Sequence, residues 1–233
     1  MLSSIPKGGI STMLTFSIAP EIKAGCPAMR LGLLQYQVKT EKINEALWEK
    51  LKTETFPTLL KQMETTSIPQ LPNLPEARAA YKAYGKDPGR YRISSEAMYR
   101  RIKQGKGLYK INTVVDTNNL ISLETGFSAG SYDVAQIQGN VEFRIGRPGE
   151  TYQGIGKDTI NIESLPVLAD ELGPFGSPTS DSTRAMITLD STEVVTLLYD
   201  FTGTGDLTSI LEKAAQELRT YANAKEIEIA IAE

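Results

Sequence analysis

The sequence predicts an α+β protein with mixed sheets and surrounding helices. Three observations lead there. Strand-like and helix-like segments are interspersed without a regular strand–helix–strand beat. Hydrophobic residues are 40% of 233 and charged residues 23%, enough to bury a core. The C-terminal end alternates, with Ile227, Ile229 and Ile231 on one face, the mark of a half-buried strand. In chain order, residues 1–12 read as a flexible extension, with Met13 an alternative start to Met1, and 13–18 (MLTFSI) as the first strand. Further strands are expected at 31–38, 141–145, 185–189, 194–201 and 226–232. Ile43, Leu47 and Leu51 recur every four residues and predict a helix that buries one stripe. Pro69, Pro72 and Pro75 predict an extended connector. Ser94 is placed to cap a helix running to Gln104, with Gly105 as its stop. Asp206 is placed to cap a last helix carrying Leu207, Ile210, Leu211, Ala214, Leu218 and Tyr221. Residues 13–233 are expected to form one domain, the alternative being a separate small strand–helix–strand lobe at its N-terminal end.

The chain contains no histidine and one cysteine, Cys26. That excludes Ser-His and Cys-His catalytic pairs, histidine-ligated zinc, a cysteine-rich zinc site and an intrachain disulfide. Chemistry must run on carboxylates, hydroxyls, amides, Lys/Arg, backbone or substrate. No metal or cofactor is expected. A lone cysteine and no apolar run near the ~20 residues of a membrane span predict a cytoplasmic protein with no membrane partner. The net charge of −3 describes no general polycation, and no DNA partner is expected.

The charge is uneven. Residues 78–110 hold ten basic groups and two acids, a local +8, which leaves −11 on the other 200 residues. Five of the ten tyrosines lie in the same segment: Tyr81, Tyr84, Tyr91, Tyr99 and Tyr109. Cations interleaved with aromatics suit an RNA surface, where phosphates meet the cations and unpaired bases stack on the rings. Arg90, Arg92, Arg100, Arg101, Lys103 and Lys106 are the expected contacts. The other interpretation is a solvated helix face with tyrosines packed inward. Two glycine motifs lack phosphate-binding character. Gly203-Thr-Gly205 has no third glycine and is followed by Asp206, so a turn and helix cap are expected. Gly154-Ile-Gly156-Lys157 lacks the remainder of a Walker loop and reads as a hairpin turn. Cys26 reads as a buried thiol.

Residues 80–101, AYKAYGKDPGRYRISSEAMYRR, and 110–133, KINTVVDTNNLISLETGFSAGSYD, resemble free-standing proteins related to the B3/B4 domain. That domain is the tRNA-editing module of the bacterial phenylalanyl-tRNA synthetase beta subunit. Asn112, Val114, Val115 and Asp116 match the start of the family's Asn-x-Val-Val-Asp block. Asn119 falls on the Asn of its Thr-Asn pair, with Asn118 in place of the Thr. Leu123, Glu124 and Gly126 match the middle, and Tyr132-Asp133 the closing Phe-Asp. Gly149-Glu150 and the run from Thr183 to Ser191 match later blocks. The resemblance covers about 75–201.

The resemblance implies an α+β fold with a pocket for the aminoacylated 3′ end of a transfer RNA. It implies hydrolysis of a mischarged, tyrosine-like amino acid in trans. Asn119 would position water or the terminal adenosine, and Asn118, Glu124 and Asp190 would bind substrate. Asp190 stands at the family's Glu, where a buried acceptor selects a hydroxylated side chain because phenylalanine would leave it unpaired. The family's histidine falls at Gly130. Ester hydrolysis would then rest on a positioned water, backbone amides and the substrate's own ribose hydroxyl. Asn112 and Asp116 read as supports of the pocket. Read from the residues alone, Asp190 is equally a turn residue, and the asparagine pair a helix-start cap in a loop. Three functions follow: a deacylase acting in trans, a non-catalytic tRNA-binding module, or an amino-acid-binding protein reusing the pocket. The oligomeric state is open between monomer and homo-oligomer.

Overall fold

The computed structural model describes residues 11–233. The extension expected over 1–12, and with it Met1 as a start, lies largely outside the described residues. Within them, Ser11 donates from its backbone N and its Oγ to Glu193.

The chain runs β1 (Phe16–Ile18), α1 (Pro20–Gly25), β2 (Arg30–Gln37), α2 (Glu45–Lys50), a π-helical turn at Leu51–Thr55, α3 (Phe56–Thr65), α4 (Leu74–Ala83) and α5 (Ser94–Lys103). It continues through α6 (Thr113–Thr125), β3 (Ser128–Asp133), β4 (Val141–Ile145), β5 (Thr151–Gln153), β6 (Thr159–Asn161), β7 (Pro166–Asp170) and β8 (Gly173–Gly176). It closes with β9 (Glu193–Asp200), α7 (Leu207–Ala222) and β10 (Lys225–Ala232). One sheet has the order β1-β4-β7-β8, with β1 parallel to β4 and the rest antiparallel. The other has the antiparallel order β10-β2-β9-β3, and β5-β6 form a separate hairpin.

The second sheet is covered on both faces. Leu31, Leu33, Val195, Leu197, Tyr199 and Tyr132 point into a core shared with Phe143, Val167 and Phe175 of the first sheet. Leu34, Tyr36, Val194 and Leu198 point the other way, onto Val114 and Ile121 of α6 and Leu207, Leu211, Ala214 and Leu218 of α7. Burial on both faces gives β2 and β9 their near-continuous apolar runs. Gly32 sets how closely α7 approaches: a Cβ there would lie 2.8 Å from the Leu211 side chain.

Eight of the nine expected elements hold and several details change. Asp206 caps α7, accepting from the Ser209 amide at 3.1 Å. Gly203 and Gly205 take positive φ in the turn before it, and Gly156 does so in the β5–β6 turn. Leu47 and Leu51 are fully buried. β1 and β2 belong to different sheets. Ser94 does not cap α5: Ile93 holds the cap position, and the Ser94 amide donates to Pro178 O at 2.7 Å. The proline-rich connector is partly helical, with a 3-10 turn at Ile68–Gln70 and Pro75 in the first turn of α4, where its missing N–H costs nothing.

The strand expected at 185–189 is a loop. Thr188 N donates to Ser191 Oγ at 3.0 Å, Asp190 N to Thr188 Oγ1 at 3.2 Å, and Ser191 Oγ to Asp133 at 2.7 Å. These side-chain bonds bend the chain while β2 and β3 occupy both edges of β9. Ile227, Ile229 and Ile231 do share a face, but a bulge between Lys225 and Glu228 shifts the register. Ala230 and Ala232 pack on the inter-sheet core, and Ile229 and Ile231 stay 39% and 37% exposed.

Candidate functional site

The basic segment spans the end of α4, the loop after it, α5 and the loop that follows. Ion pairing removes part of its charge. Glu96, fully buried, accepts from Arg78 Nη1 at 2.8 Å and from Arg100 Nη2 at 2.7 Å, so Arg100, one of the expected contacts, shares one carboxylate with Arg78. Arg101 stacks on Tyr109, 4.2 Å from the ring centroid, and donates to Gly107 O. Lys103 donates to Met63 O at 3.2 Å. Arg90 and Lys86 lie over Tyr91 at 5.6 and 5.0 Å. Arg90, Arg92 and Lys106 are exposed.

The tyrosines divide in the same way. Tyr81 and Tyr99 are buried, with hydroxyls on Thr179 Oγ1 and Leu123 O, and half-buried Tyr84 donates to Ile22 O. Tyr81 and Tyr99 belong to the main core and Tyr84 packs against it, so the expectation of stacking fails for these three. Tyr91 and Tyr109 keep accessible rings, each covered by a cation. The two cation–aromatic clusters flank α5, whose ten residues span about 15 Å.

α6 carries the asparagine pair in its middle rather than in a loop. Asn112 caps the helix, accepting from the Val115 amide at 2.9 Å, and Gly126 ends it at φ 78°. Asn118 is buried and committed: Nδ2 donates to Ala129 O at 3.2 Å and Oδ1 accepts from Ser131 Oγ at 3.2 Å. Ser131 Oγ continues to Thr196 Oγ1 at 2.8 Å and thence to the Tyr36 hydroxyl at 2.9 Å. Asn118 therefore ties α6 to β3. Asn119, one residue on and about 100° around the helix, is half-buried and its side chain makes no hydrogen bond among the described residues.

Glu124 lies in the last turn of α6, on the wall of a cleft of about 340 Å³ that also includes Glu54, Thr55, Tyr99 and Gly126. Its carboxylate meets Lys50 at 3.0 Å, which also meets Glu217 at 2.8 Å. Burial opposes the Lys50 ammonium, but the two carboxylates outweigh it and hold its pKa up, to about 12. Asp190 is exposed on the 188–191 turn. That loop is bound to the other end of α6, where Asn112 Nδ2 reaches Ile187 O at 3.5 Å. Glu124 is twelve residues along the helix from Asn112, about 18 Å. Glu124 and Asp190 thus stand at opposite ends of α6 with Asn119 between, and the structure does not bring the three into one cavity.

Two clusters carry structure that residue types alone concealed. Asp116, buried, accepts from Trp48 Nε1 at 2.8 Å and from the Ile111 amide at 3.0 Å. Burial raises its pKa, partly offset by those two donors. Between the sheets, the Tyr132 hydroxyl donates to Asp181 at 2.7 Å and pairs with the Tyr199 hydroxyl at 2.9 Å. Tyr132 also occupies the space above Gly130 and Gly176: a Cβ there would lie 2.4 and 2.5 Å from its oxygen. Cys26 is buried with its pKa raised by burial, as expected of an inert thiol. Among the described residues no group of three His, Cys, Asp or Glu is placed to hold a metal, and no helix is long and apolar enough to cross a membrane.

Desolvation lifts the Asp181 pKa to about 6, against the lowering effect of the Ser177 amide and the Tyr132 hydroxyl. The folded protein thus takes up a proton between about pH 6 and the unfolded carboxyl's range, where the unfolded chain is still ionised. Stability from this group falls as pH rises through that window. Asp181→Asn keeps an acceptor for both donors and removes the titration. It is expected to be roughly 1–3 kcal/mol more stable than wild type at pH 7.5, the difference shrinking towards pH 4. Urea unfolding of both proteins across that range checks this, and a constant difference contradicts it.

A family model described as the B3/4 domain matches residues 76–217. Among curated proteins, the chain is similar to the phenylalanine–tRNA ligase beta subunit of Nitrosospira multiformis, 34% identical over 83 residues, which are 34% of this chain and 10% of that protein. It is also similar to that of Paramagnetospirillum magneticum, 35% identical over 69 residues, 29% of this chain and 9% of that protein. The match spans about a tenth of the length of these relatives. Among solved structures, an N-terminal fragment of the phenylalanyl-tRNA synthetase beta-subunit from Pyrococcus horikoshii aligns over 98% of this chain and 53% of that one, at 12% identity and a TM-score of 0.46.

Proposed function

Because the chain belongs to the B3/4 domain family, we propose that it binds transfer RNA at the aminoacylated 3′ end and releases a mischarged, tyrosine-like amino acid in trans, in the cytoplasm. The observation that carries this is the coincidence of the family match with the two cation–aromatic clusters that flank α5, both inside residues 76–217. Arg90 and Arg92 at one cluster and Arg101 and Lys106 at the other give phosphates two landing points, while the partly buried ring of Tyr91 and the exposed ring of Tyr109 offer stacking to unpaired bases. Asn119, uncommitted on α6, is the group left to position water or the terminal adenosine. Without a histidine, the rate is expected to have no titration near the ~6.5 of imidazole.

A second function, tRNA binding without hydrolysis, is favoured by one specific observation. The Tyr132 hydroxyl fills the space above Gly130, where the family's histidine falls in sequence. In that state the protein would hold the charged end without cleaving it.

The test is binding first, then release. Affinity for transfer RNA should fall steeply between about 50 and 200 mM salt. The triple variant Arg90→Glu, Arg92→Glu, Lys106→Glu, all at exposed positions, should bind at least tenfold more weakly with an unchanged melting temperature. Incubation with tRNA charged with tyrosine or with phenylalanine then reports release of amino acid. Preferential loss of tyrosine, abolished in Asn119→Ala, supports hydrolysis. Binding without release supports the second function. No tRNA binding at low salt rejects both.

A further inference from the structure

The cleft of about 340 Å³ at the C-terminal end of α6 is lined by neither Asn119 nor Asp190 and has a composition of its own. Glu54, Thr55 and Leu59 enter it from the π-helical turn and α3, Leu123 and Glu124 from the last turn of α6, and Tyr99 from α5. Two carboxylates line it and no Lys or Arg does. Glu54 is exposed and makes no ion pair among the described residues. Glu124 shares Lys50 with Glu217, so one ammonium serves two carboxylates. The C-terminal end of a helix adds negative potential of its own. Beside the carboxylates the lining is apolar: Leu59, Tyr99 and Leu123 are each more than nine-tenths buried.

One polar side chain in the cleft has nothing to bond. Thr55 is 7% exposed, and its Oγ1 has no hydrogen-bond partner. A helical threonine commonly returns its hydroxyl to the carbonyl four residues back. Thr53 does so, donating to Glu49 O at 2.8 Å, whereas Thr55 closes the π-helical turn, in which Leu51 O receives the Phe56 amide. A buried hydroxyl left unpaired costs stability, and π-helical turns within helices are frequent at functional sites. We propose that this cleft binds a small primary amine with an apolar body, its ammonium held by Glu54, Glu124 and the Thr55 hydroxyl and its body laid on Leu59, Leu123 and Tyr99. An ammonium carries three donors, and the cleft offers it three side chains that accept. The volume lies within the range of roughly 300–1,000 Å³ usual for small-molecule sites. A bare cation would leave the apolar lining uncovered, and an anion or a neutral ring would leave the carboxylates unmatched.

Isothermal titration calorimetry of the full chain with phenethylamine tests this, with 2-phenylethanol and ethylamine as controls that lack the charge and the ring. Phenethylamine is expected to bind saturably at one site per chain, with a dissociation constant below about 1 mM that rises with salt. Both controls should bind at least tenfold more weakly. Glu54→Gln, at an exposed position, should weaken phenethylamine binding several-fold with an unchanged melting temperature. Thr55→Val should weaken it several-fold while leaving the melting temperature of the free protein unchanged or raised, because the hydroxyl removed made no bond. Glu54→Gln decides the matter if Thr55→Val fails to fold. No saturable heat with phenethylamine up to about 5 mM, equal binding of 2-phenylethanol, or wild-type affinity in Glu54→Gln overturns the proposal. Transfer-RNA binding is read separately and does not bear on it.

Discussion

Asp116→Ala is expected to lose roughly 2 kcal/mol of stability, along with any activity. The substitution strands the Trp48 indole N–H and the Ile111 amide, both of which donate to Asp116 in a site where the residue is 1% exposed. Each buried donor left unpaired costs about 1–3 kcal/mol. The total sits at the low end because burying the carboxylate is itself unfavourable, as the upward displacement of its pKa records. Asp116→Asn retains one acceptor for two donors and should fall between wild type and Ala. Urea unfolding monitored at Trp48, the one tryptophan of the chain, reads this contact directly. Loss of activity at unchanged stability would instead make Asp116 a participant in chemistry.

Glu96→Ala should destabilise by about 2–3 kcal/mol. Removing one partner of a buried ion pair typically costs about 3–5 kcal/mol because it strands a charge. Here the stranded guanidinium groups, Arg78 and Arg100, keep 25% and 36% of their side-chain surface in water, which lowers the cost. The same geometry makes Arg100→Glu a structural lesion rather than a probe of RNA contact, since it sets a second carboxylate against buried Glu96. It should unfold the protein at lower urea than Arg90→Glu, and raising salt should rescue little, because the Glu96 carboxylate is shielded from ions. If Arg100→Glu is as stable as wild type, the triad contributes nothing.

Much of the architecture was legible where one residue type fulfils a local need. Asp206 and Gly205 mark the start of α7, and its apolar positions name the face that packs on β2. α6 was the element least visible. Nine of its thirteen residues are buried, so no polar face gives the sequence a helical period. The 185–189 strand failed for the opposite reason: its apolar spacing suits a strand, but Thr188, Ser191 and Asp133 bond to one another and bend the chain into a loop.

By itself the sequence determined the α+β class, a chemistry without imidazole, the inert character of Cys26, and a concentration of positive charge and tyrosine between residues 78 and 110. These follow from composition and from contacts a few residues apart. Only the tertiary structure decided which of those charges are free and which asparagine is available. Arg78 meets Glu96 eighteen residues away, Asn118 is drawn to β3, and Tyr132 reaches into the space above Gly130. The spread of Glu124 and Asp190 to opposite ends of α6 was settled in the same way. Hydrogen bonds and ion pairs are decided by distances of a few ångströms between groups far apart in sequence, and residue type records a side chain's capacity to bond without naming its partner.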